Sequence, residues 1–420
     1  MPEDGPGGAG SPLAPPPPNL PRTSFETLPG MSRLAAAIAL APLLIGLYAY
    51  VGYPAILWVL SKFHISNRQA ATTGSWPAVT ITLPVYNAAA TIRATLDRLL
   101  VLDYPRDRLQ LLVISDGSTD GTEQIVETYA GQGVELLRMA ERRGKTAAEN
   151  AALSAARGEL IVNVDATIMV PAGSLKRLVR AFEDPTIGVA SGRDVSVGDS
   201  TQVRTGAESR YVGYEMWIRH LETSAGSIVG ASGCFYAIRR HIHGEPLPAD
   251  LSWDFASVLV ARLKGLRSVS VSDAICIVPR SESLGTELKR KVRTMARGIR
   301  TLFHHRQLMN PFRFGGFSLM LISHKLLRWL PYLLAPVSLV AAVLFAAAKI
   351  GAWPVGIALI AVAIITSHLP TVPAFRTARA TVVASFLTAS LAAGFLAWWD
   401  VIRGAPMAIW DPTPRSSAHS

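Results

Sequence analysis

The chain is poor in cysteine and in charge. Of its 420 residues only two are cysteines, Cys234 and Cys276. Two isolated thiols without CxxC spacing exclude a zinc site of paired cysteines and a disulfide framework, and they fit a reducing cytoplasmic environment. Charged residues make up 17% of the chain and hydrophobic residues 50%. This balance is too apolar for an ordinary soluble domain of this length, so the composition indicates a membrane protein.

Acidic residues are fewer than basic ones, and the middle of the chain lacks a long hydrophobic run. Lysine and arginine exceed aspartate and glutamate by 41 to 30. Much of the excess flanks the apolar segments after Pro311, as expected beside membrane spans, so we predict no nucleic-acid partner. Between Ala78 and Asn310 no apolar run is long enough to cross a hydrocarbon core of about 30 Å, which excludes a wholly membrane-embedded transporter.

Apolar segments divide the chain into a soluble middle and membrane-facing ends. Residues 1–30 contain nine prolines and five glycines, with too few large apolar groups to fold, so we expect a disordered tail. Leu34–Leu60 has no charge over 27 residues, which favours a retained transmembrane anchor. The predicted parts are the tail (1–30), an N-terminal transmembrane anchor (31–62), a soluble domain (76–310), an interfacial helix (315–330), C-terminal transmembrane helices (331–402) and a second tail (403–420).

The number of C-terminal spans depends on one segment. Phe317–Leu330 carries three basic side chains among apolar residues, which favours a helix that lies in the membrane interface. If this segment also crosses, the C-terminal tail changes sides. The other predicted spans are Pro331–Ala348, Trp353–Leu369 and Ala380–Trp399.

Short apolar runs in the soluble segment alternate with amphipathic stretches, which predicts a series of βαβ units. Their apolarity is continuous rather than alternating, which favours a mostly parallel sheet covered on both faces. Ligands of such α/β folds bind beyond the carboxyl ends of the strands. The predicted strands are Val79–Leu83, Leu111–Ile114, Val134–Leu137 and Leu160–Val164.

Polar turns follow the first two predicted strands. The first reads Leu83-Pro84-Val85-Tyr86-Asn87, and the second reads Ser115-Asp116-Gly117-Ser118-Thr119-Asp120. An acid followed by glycine and by helix-capping hydroxyls suits the binding of a nucleotide base and ribose. Each turn alone is equally typical of an Asx turn with an ordinary helix cap.

Together with further motifs in the same order along the chain, these turns resemble family 2 glycosyltransferases of the GT-A fold. The similarity is to cellulose synthase, hyaluronan synthase and poly-N-acetylglucosamine synthase. The resemblance implies an α/β GT-A (nucleotide-diphospho-sugar transferase) domain with a mostly parallel sheet, flanked by transmembrane helices. The further motifs are Arg143–Asn150, Val162–Thr167, Pro248–Phe255, Glu287–Gly298 and Trp410–Arg415.

The resemblance implies a donor site at the strand ends. Lys145 is expected near the donor's phosphates, and Asp165 is expected to bind the nucleotide through Mg²⁺ or Mn²⁺. The chain departs from the family pattern because Ser115 replaces the first Asp of the second turn and Thr167 replaces the second acid of the D-x-D motif. The implied nucleotide-binding residues are Pro84, Tyr86, Asn87, Asp116, Gly117, Lys145 and Asp165.

The resemblance also implies an acceptor site. Asp254 is expected to be the general base of an inverting transfer, although as an isolated residue it would fit an N-cap of the next helix equally well. The alternative interpretation of Glu287–Gly298 is a basic surface that lies on anionic lipid headgroups. The implied acceptor-binding residues are Gly233, Cys234, Trp253 as a sugar-stacking platform, Arg290 and Arg293.

Glu215 and Glu222 lie seven residues apart on a predicted helix and so share one face. We expect them to pack or to form salt bridges, with an acceptor contact as the second choice.

These motifs predict a membrane-bound inverting glycosyltransferase of polysaccharide or envelope glycan synthesis. The donor is a nucleotide-diphospho-sugar, by resemblance a UDP-sugar with a GDP-sugar as the alternative, and the acceptor is a glycan or a lipid-linked group. Other partners are the lipid bilayer and a polysaccharide export complex. Because nucleotide sugars are cytosolic, we expect a multi-pass protein of the cell (inner) membrane with a cytoplasmic catalytic domain.

The departures from the family pattern favour one alternative function. Substitutions at Ser115, Thr167, Arg290 and Thr294 are consistent with a catalytically weak nucleotide-sugar-binding scaffold of a polysaccharide complex. The missing aromatic residue at Thr294 also leaves single transfer and processive synthesis open.

Overall fold

A computed structural model describes residues 29–62, 75–197, 203–279, 284–368 and 379–406 of the chain. The predicted N-terminal tail, apart from its last two residues, lies outside these ranges, as do Trp410–Arg415 and most of the predicted C-terminal tail.

The strands are β1 (Val79–Val85), β2 (Leu109–Ser115), β3 (Val134–Arg138), β4 (Leu160–Val164), β5 (Ile187–Val197), β6 (Phe235–Arg239) and β7 (Arg267–Pro279). The helices are α1 (Pro29–Leu47), α2 (Tyr53–Ser61), α3 (Ile92–Leu100), α4 (Thr122–Glu127), α5 (Lys145–Ala155), α6 (Ser174–Arg180), α7 (Val203–Ser224), α8 (Trp253–Leu263), α9 (Leu284–His304), α10 (Pro311–Phe314), α11 (Gly316–Leu321), α12 (Leu327–Ile350), α13 (Ala352–His368) and α14 (Arg379–Ile402).

The seven strands form one sheet in the order β3-β2-β1-β4-β6-β5-β7. Strands β1 to β4 are parallel, as are β5 and β7, whereas β6 runs antiparallel to both β4 and β5. The four predicted strands and the mostly parallel α/β fold are therefore confirmed. All seven residues of β1 are buried, as expected for a central strand covered on both faces. The carboxyl ends of β1, β2 and β4 consequently lie side by side.

Two long apolar helical segments accompany this domain, and each has the length and composition needed to cross a bilayer. Arg33–Ser61 joins α1 to α2 through a π-helical turn at Tyr48–Gly52. Gly316–Ile350 joins α11 to α12 through a second π-helical turn at Ile322–Leu326. Their outer surfaces are apolar: Leu43 is 68% and Leu344 62% exposed.

The predicted boundary between an interfacial helix and a first C-terminal span is not a helix end. Because α12 starts at Leu327 and continues to Ile350, the two predicted segments form one helix. The predicted spans Trp353–Leu369 and Ala380–Trp399 coincide closely with α13 and α14. In the described part of the chain, α1 and α12 are joined by the Ser338 hydroxyl, which donates to the Ile38 carbonyl at 2.8 Å.

Candidate active site

The two polar turns that follow β1 and β2 are joined by hydrogen bonds. The Asn87 side-chain oxygen accepts from the Thr119 amide at 2.8 Å, and the Asn87 amide donates to the Ser118 hydroxyl at 3.1 Å. Asn87 has a φ of 47°, a left-handed conformation that asparagine tolerates better than most residues. The structure therefore brings Pro84, Tyr86 and Asn87 beside the second turn, as their positions at neighbouring strand ends predicted.

Asp116 anchors the turn that leads into α5. Its Oδ1 accepts from the Arg143 amide at 2.7 Å and its Oδ2 accepts from the Gly144 amide at 2.8 Å, and the residue is 1% exposed. Its neighbour Gly117 has a φ of +69°, and a Cβ there would lie 2.9 Å from the Arg142 nitrogen. Asp116 thus positions the Arg143–Lys145 turn, and its predicted nucleoside contact stays a prediction.

Tyr86 offers a flat surface at the same strand end. The Arg142 guanidinium lies 3.6 Å from the centroid of its ring, which is a cation–π stack. The Tyr86 ring and the Arg142 guanidinium are both flat, so the outer side of either group suits the stacking of a planar base.

Lys145 and Asp165 form an ion pair at the centre of the site. Lys145 Nζ lies 2.5 Å from Asp165 Oδ1 and donates to the Gly233 carbonyl at 3.0 Å. Burial alone lowers the pKa of Lys145, but the Asp165 and Glu149 carboxylates outweigh that effect and raise it. The lysine is therefore a permanent cation at the N-terminus of α5, where a helix dipole also favours anions.

The turn that contains Gly233 and Cys234 connects this ion pair to Asp254. The Asp165 amide donates to the Cys234 carbonyl at 3.0 Å, and a Cβ at Gly233 would lie 3.4 Å from Asp254 Oδ2. The Ser232 amide and hydroxyl are held by Ser191 and Asp194 of β5, at 2.8 and 2.6 Å. The predicted donor and acceptor residues thus meet across one short turn.

Asp254 lies in the first turn of α8, where the helix dipole stabilises an ionised carboxylate. The Ser252 hydroxyl donates to its Oδ1 at 2.5 Å, and Oδ2 faces Gly233. A half-buried carboxylate held in this way can accept a proton from a hydroxyl group placed beside the Gly233 turn.

Helix α5 is tied directly to the loop that precedes Asp254. The Thr146 hydroxyl donates to the Leu251 carbonyl at 2.8 Å, and the Asn150 amide group donates to the Leu247 carbonyl at 2.7 Å. These bonds keep Lys145 and Asp254 at a constant separation.

Trp253 belongs to the core rather than to the surface of the cleft. It is 2% exposed, its Nε1 donates to Asn150 Oδ1 at 2.9 Å, and its ring packs 4.2 Å from that of His243. The expectation that this indole stacks on a sugar ring therefore does not match its position, because both its ring faces and its polar atom are used within the protein.

Glu149 is a site residue that the sequence analysis did not single out. Its Oε1 lies 3.8 Å from Lys145 Nζ. Burial raises its pKa to about 8; Lys145 opposes this shift, and the Asp254 and Asp165 carboxylates add to it. This side chain therefore keeps its proton to a higher pH than an exposed glutamate does. Its spacing of four residues from Lys145 on one helix was the available signal.

Helix α9 carries a further arginine, Arg297, near the site. Arg293 and Arg290 are half-buried one and two turns earlier on the same helix, respectively. Burial lowers the pKa of Arg297, whereas Glu149, Asp250 and Asp254 oppose that change, so Arg297 is near the acidic side of the site. The recurrence of arginine at 290, 293, 297 and 300 is the sequence signal for this face.

The residues present fit a metal only together with a diphosphate. Among the described residues, no three His, Cys, Asp or Glu side chains converge on a common point. Mg²⁺ is commonly bound by one or two carboxylates while substrate phosphates complete its shell. Asp165, at the end of β4 with 23% of its side chain exposed, provides one such carboxylate, and Thr167 offers a hydroxyl where a second acid would stand.

Comparison with known proteins agrees with this geometry. Residues 80–245 match the profile of the family Glycosyl transferase family 2. An N-acetylglucosaminyltransferase of Rhizobium sp. (strain N33) is 25% identical over 58% of this chain and 58% of its own length. A poly-beta-1,6-N-acetyl-D-glucosamine synthase of Staphylococcus aureus (strain COL) is 23% identical over 55% of this chain and 57% of its own. The chain thus spans just over half the length of each of these two relatives.

Among solved structures, the mannosyltransferase PcManGT from Pyrobaculum calidifontis, determined with GDP-Man and Mn²⁺, has the same fold. It superposes with a TM-score of 0.64 at 24% identity, over 90% of this chain and 100% of that chain. The similarity supports a GT-A-like fold.

Proposed function

We propose a reaction for this protein, which belongs through residues 80–245 to glycosyl transferase family 2 and is a glycosyltransferase. The reaction is the transfer of one sugar from a nucleotide-diphospho-sugar to an acceptor hydroxyl, with inversion at the anomeric carbon. The observation that carries the proposal is the Gly233 turn, which separates the Lys145–Asp165 pair from Asp254.

On the donor side, the linked turns after β1 and β2 bind the nucleoside. Tyr86 and Arg142 provide a stacking surface, and Lys145 binds the diphosphate as a buried cation. A divalent cation, Mg²⁺ or Mn²⁺, held by Asp165 and the diphosphate would neutralise the charge of the leaving group. By resemblance the donor is a UDP-sugar, and a GDP-sugar is the alternative.

On the acceptor side, Asp254 takes the proton of the attacking hydroxyl. The hydroxyl oxygen forms a bond to the anomeric carbon while the bond from that carbon to the diphosphate oxygen breaks, and the nucleoside diphosphate leaves. Gly233 and Cys234 line the path of the acceptor, and a side chain at Gly233 would approach the Asp254 carboxylate. Arg290 and Arg293 contact the acceptor from α9.

The long apolar helices support a reaction at a membrane. We propose that Arg33–Ser61 and Gly316–Ile350 cross the bilayer, with α13 and α14 as further spans, and that the GT-A domain faces the cytoplasm, where nucleotide sugars are made. Polysaccharide or glycolipid synthesis at the cell (inner) membrane, next to an export complex, fits this arrangement.

The test is release of nucleoside diphosphate by purified full-length protein from a panel of UDP- and GDP-sugars, with and without Mn²⁺ or Mg²⁺. We expect metal-dependent release from one donor, and a loss of roughly 10²–10⁴-fold in Asp254→Asn, as for removal of a general base. Asp250→Asn, an acid in the same loop that pairs with Arg300 at 3.1 Å, serves as the matched control. Nucleotide binding without release under any acceptor would instead support the scaffold function.

A further inference from the structure

A cavity lies where the catalytic domain meets the two long apolar helices. It has a volume of about 90 Å³ and opens between α7, α9 and both π-helical turns. Its lining includes Tyr50, Glu215, His324, Lys325, Arg328 and Trp329. The site residues described above do not line it.

His324 bridges two carboxylates in this cluster. Its Nδ1 lies 2.5 Å from Glu222 Oε1 and its Nε2 lies 2.9 Å from Glu215 Oε1. Burial opposes ionisation of Glu215, but its contacts with His324 and Arg328 hold its pKa well below the usual value. The expected salt bridging is observed for Glu215, whose Oε2 lies 2.8 Å from Arg328 Nη1.

Positive charge exceeds negative charge around the cavity. Arg328 lies 2.8 Å and Arg219 3.8 Å from Glu215. Lys325 is a further cation close to both Glu215 and Glu222. The cations Arg219, Lys325 and Arg328 thus face the two carboxylates of Glu215 and Glu222, an excess of one positive charge among the described residues. Because buried charge without compensation is costly, an anion in the cavity would stabilise this cluster.

Lys325 links the cavity to the proposed base. Its Nζ lies 5.4 Å from the centroid of the Phe255 ring, and a Cβ at Gly230 would be 2.9 Å from it. Gly230 and Gly233 are three residues apart, a step of at most about 11 Å. Since Gly233 faces Asp254, the lysine and the carboxylate lie at the two ends of one short turn.

We propose that this cavity binds the phosphate group of the acceptor, and that the acceptor is a lipid that carries a phosphate or a diphosphate. The anion would offset the excess charge of the cluster, and the lipid chain would lie along the apolar helices. A hydroxyl of a group carried on the phosphate would reach Asp254 along the Gly230–Gly233 turn. This inference rests on the proposed function, whose acceptor class it specifies. An uncharged glycan acceptor would leave the excess charge without compensation.

The test is equilibrium binding of radiolabelled polyprenyl phosphate and of polyprenol of the same length to the full-length protein in detergent. We expect the wild type to prefer the phosphate form, and Lys325→Met to weaken its binding about tenfold without changing that of polyprenol. Lys325→Arg keeps the charge and should retain most of the affinity. Lys349→Met, in the last turn of the same helix, is the matched control and should behave as the wild type.

Three outcomes separate the possibilities. Equal wild-type binding of the two lipids, or equal effects of Lys325→Met and Lys349→Met, would overturn the inference. In a second outcome, inorganic phosphate competes with lipid binding in the wild type but not in Lys325→Met, while the wild type binds polyprenyl phosphate no better than polyprenol. This result would support an anion site in the cavity and overturn a lipid as the source of the anion. Nucleoside diphosphate binding, measured on the same samples, separates this inference from the proposed function: its absence contradicts the function, whereas its presence with a failed lipid experiment contradicts only the acceptor.

Discussion

The ammonium nitrogen of Lys145 lies 2.5 Å from Oδ1 of Asp165, and this contact joins the start of α5 to the end of β4. The same nitrogen binds the carbonyl of Gly233 on the turn that faces Asp254. One cation therefore holds together the proposed phosphate-binding, metal-binding and acceptor-binding parts of the site.

Lys145→Met should weaken the binding of a nucleoside diphosphate with Mn²⁺ by at least about tenfold, because the diphosphate loses a charge-assisted contact. Calorimetric titration of the full-length protein measures this effect. Lys176→Met removes another lysine that pairs with an aspartate, Asp103, but on the protein surface, and it should leave the affinity unchanged. Equal affinity of Lys145→Met and the wild type would exclude Lys145 from the phosphate site.

Glu149→Gln should remove a pH-dependent part of the stability. Burial raises the pKa of Glu149 from 4.5 to about 8, so between these values the native state holds a proton that the unfolded state has released. The free energy of unfolding should therefore fall as pH rises from about 4.5 to about 8 in the wild type. Unfolding temperatures across this range should fall less steeply in Glu149→Gln, while exposed Glu141→Gln follows the wild type. Parallel curves for all three proteins would contradict the prediction.

Trp253→Phe should lower stability and leave the acceptor KM unchanged. The substitution removes the hydrogen bond from Nε1 to Asn150 Oδ1, worth about 1 kcal/mol, while Asn150 Oδ1 still accepts from the Leu247 amide at 3.0 Å. Thermal unfolding and initial rates against acceptor concentration separate the two effects. A raised KM at unchanged stability would restore the sugar-stacking role predicted from the sequence.

Gly117→Ala should destabilise the protein more than Gly121→Ala. Both glycines have positive φ angles, +69° and +90°, but only at Gly117 would a Cβ meet backbone, 2.9 Å from the Arg142 nitrogen; at Gly121 the nearest atom is a side-chain oxygen 4.0 Å away. Left-handed strain alone costs about 1–2 kcal/mol, so the difference between the variants isolates the close approach of the two loops. Equal unfolding temperatures of the two variants would show that the Arg142–Arg143 segment moves away from the added Cβ at no cost in stability.

The sequence could predict the elements and the strand-end residues because those signals are local. Continuous apolar runs indicated β1 to β4, and parallel strands place their carboxyl ends at one edge, so Asn87 and Asp116 were expected near each other. Lys145, Asp165 and Asp254 followed from motif resemblance, and the structure does bring them to either side of one turn.

Other features depend on contacts between residues distant in the chain. Nothing in the sequence near Trp253 shows that Asn150 and His243 surround its ring. The antiparallel insertion of β6 between β4 and β5 places Gly233 over Lys145, and no periodicity predicts that order.

The sequence by itself determined that a mostly parallel α/β domain lies between apolar helices, because hydrophobic periodicity and run length report local burial directly. Only the tertiary structure decided which charges share a low-dielectric environment. The pKa of Glu149 is raised, and His324 is held between two carboxylates more than 100 residues away, because burial and distance in space, rather than spacing along the chain, set the energy of a charge.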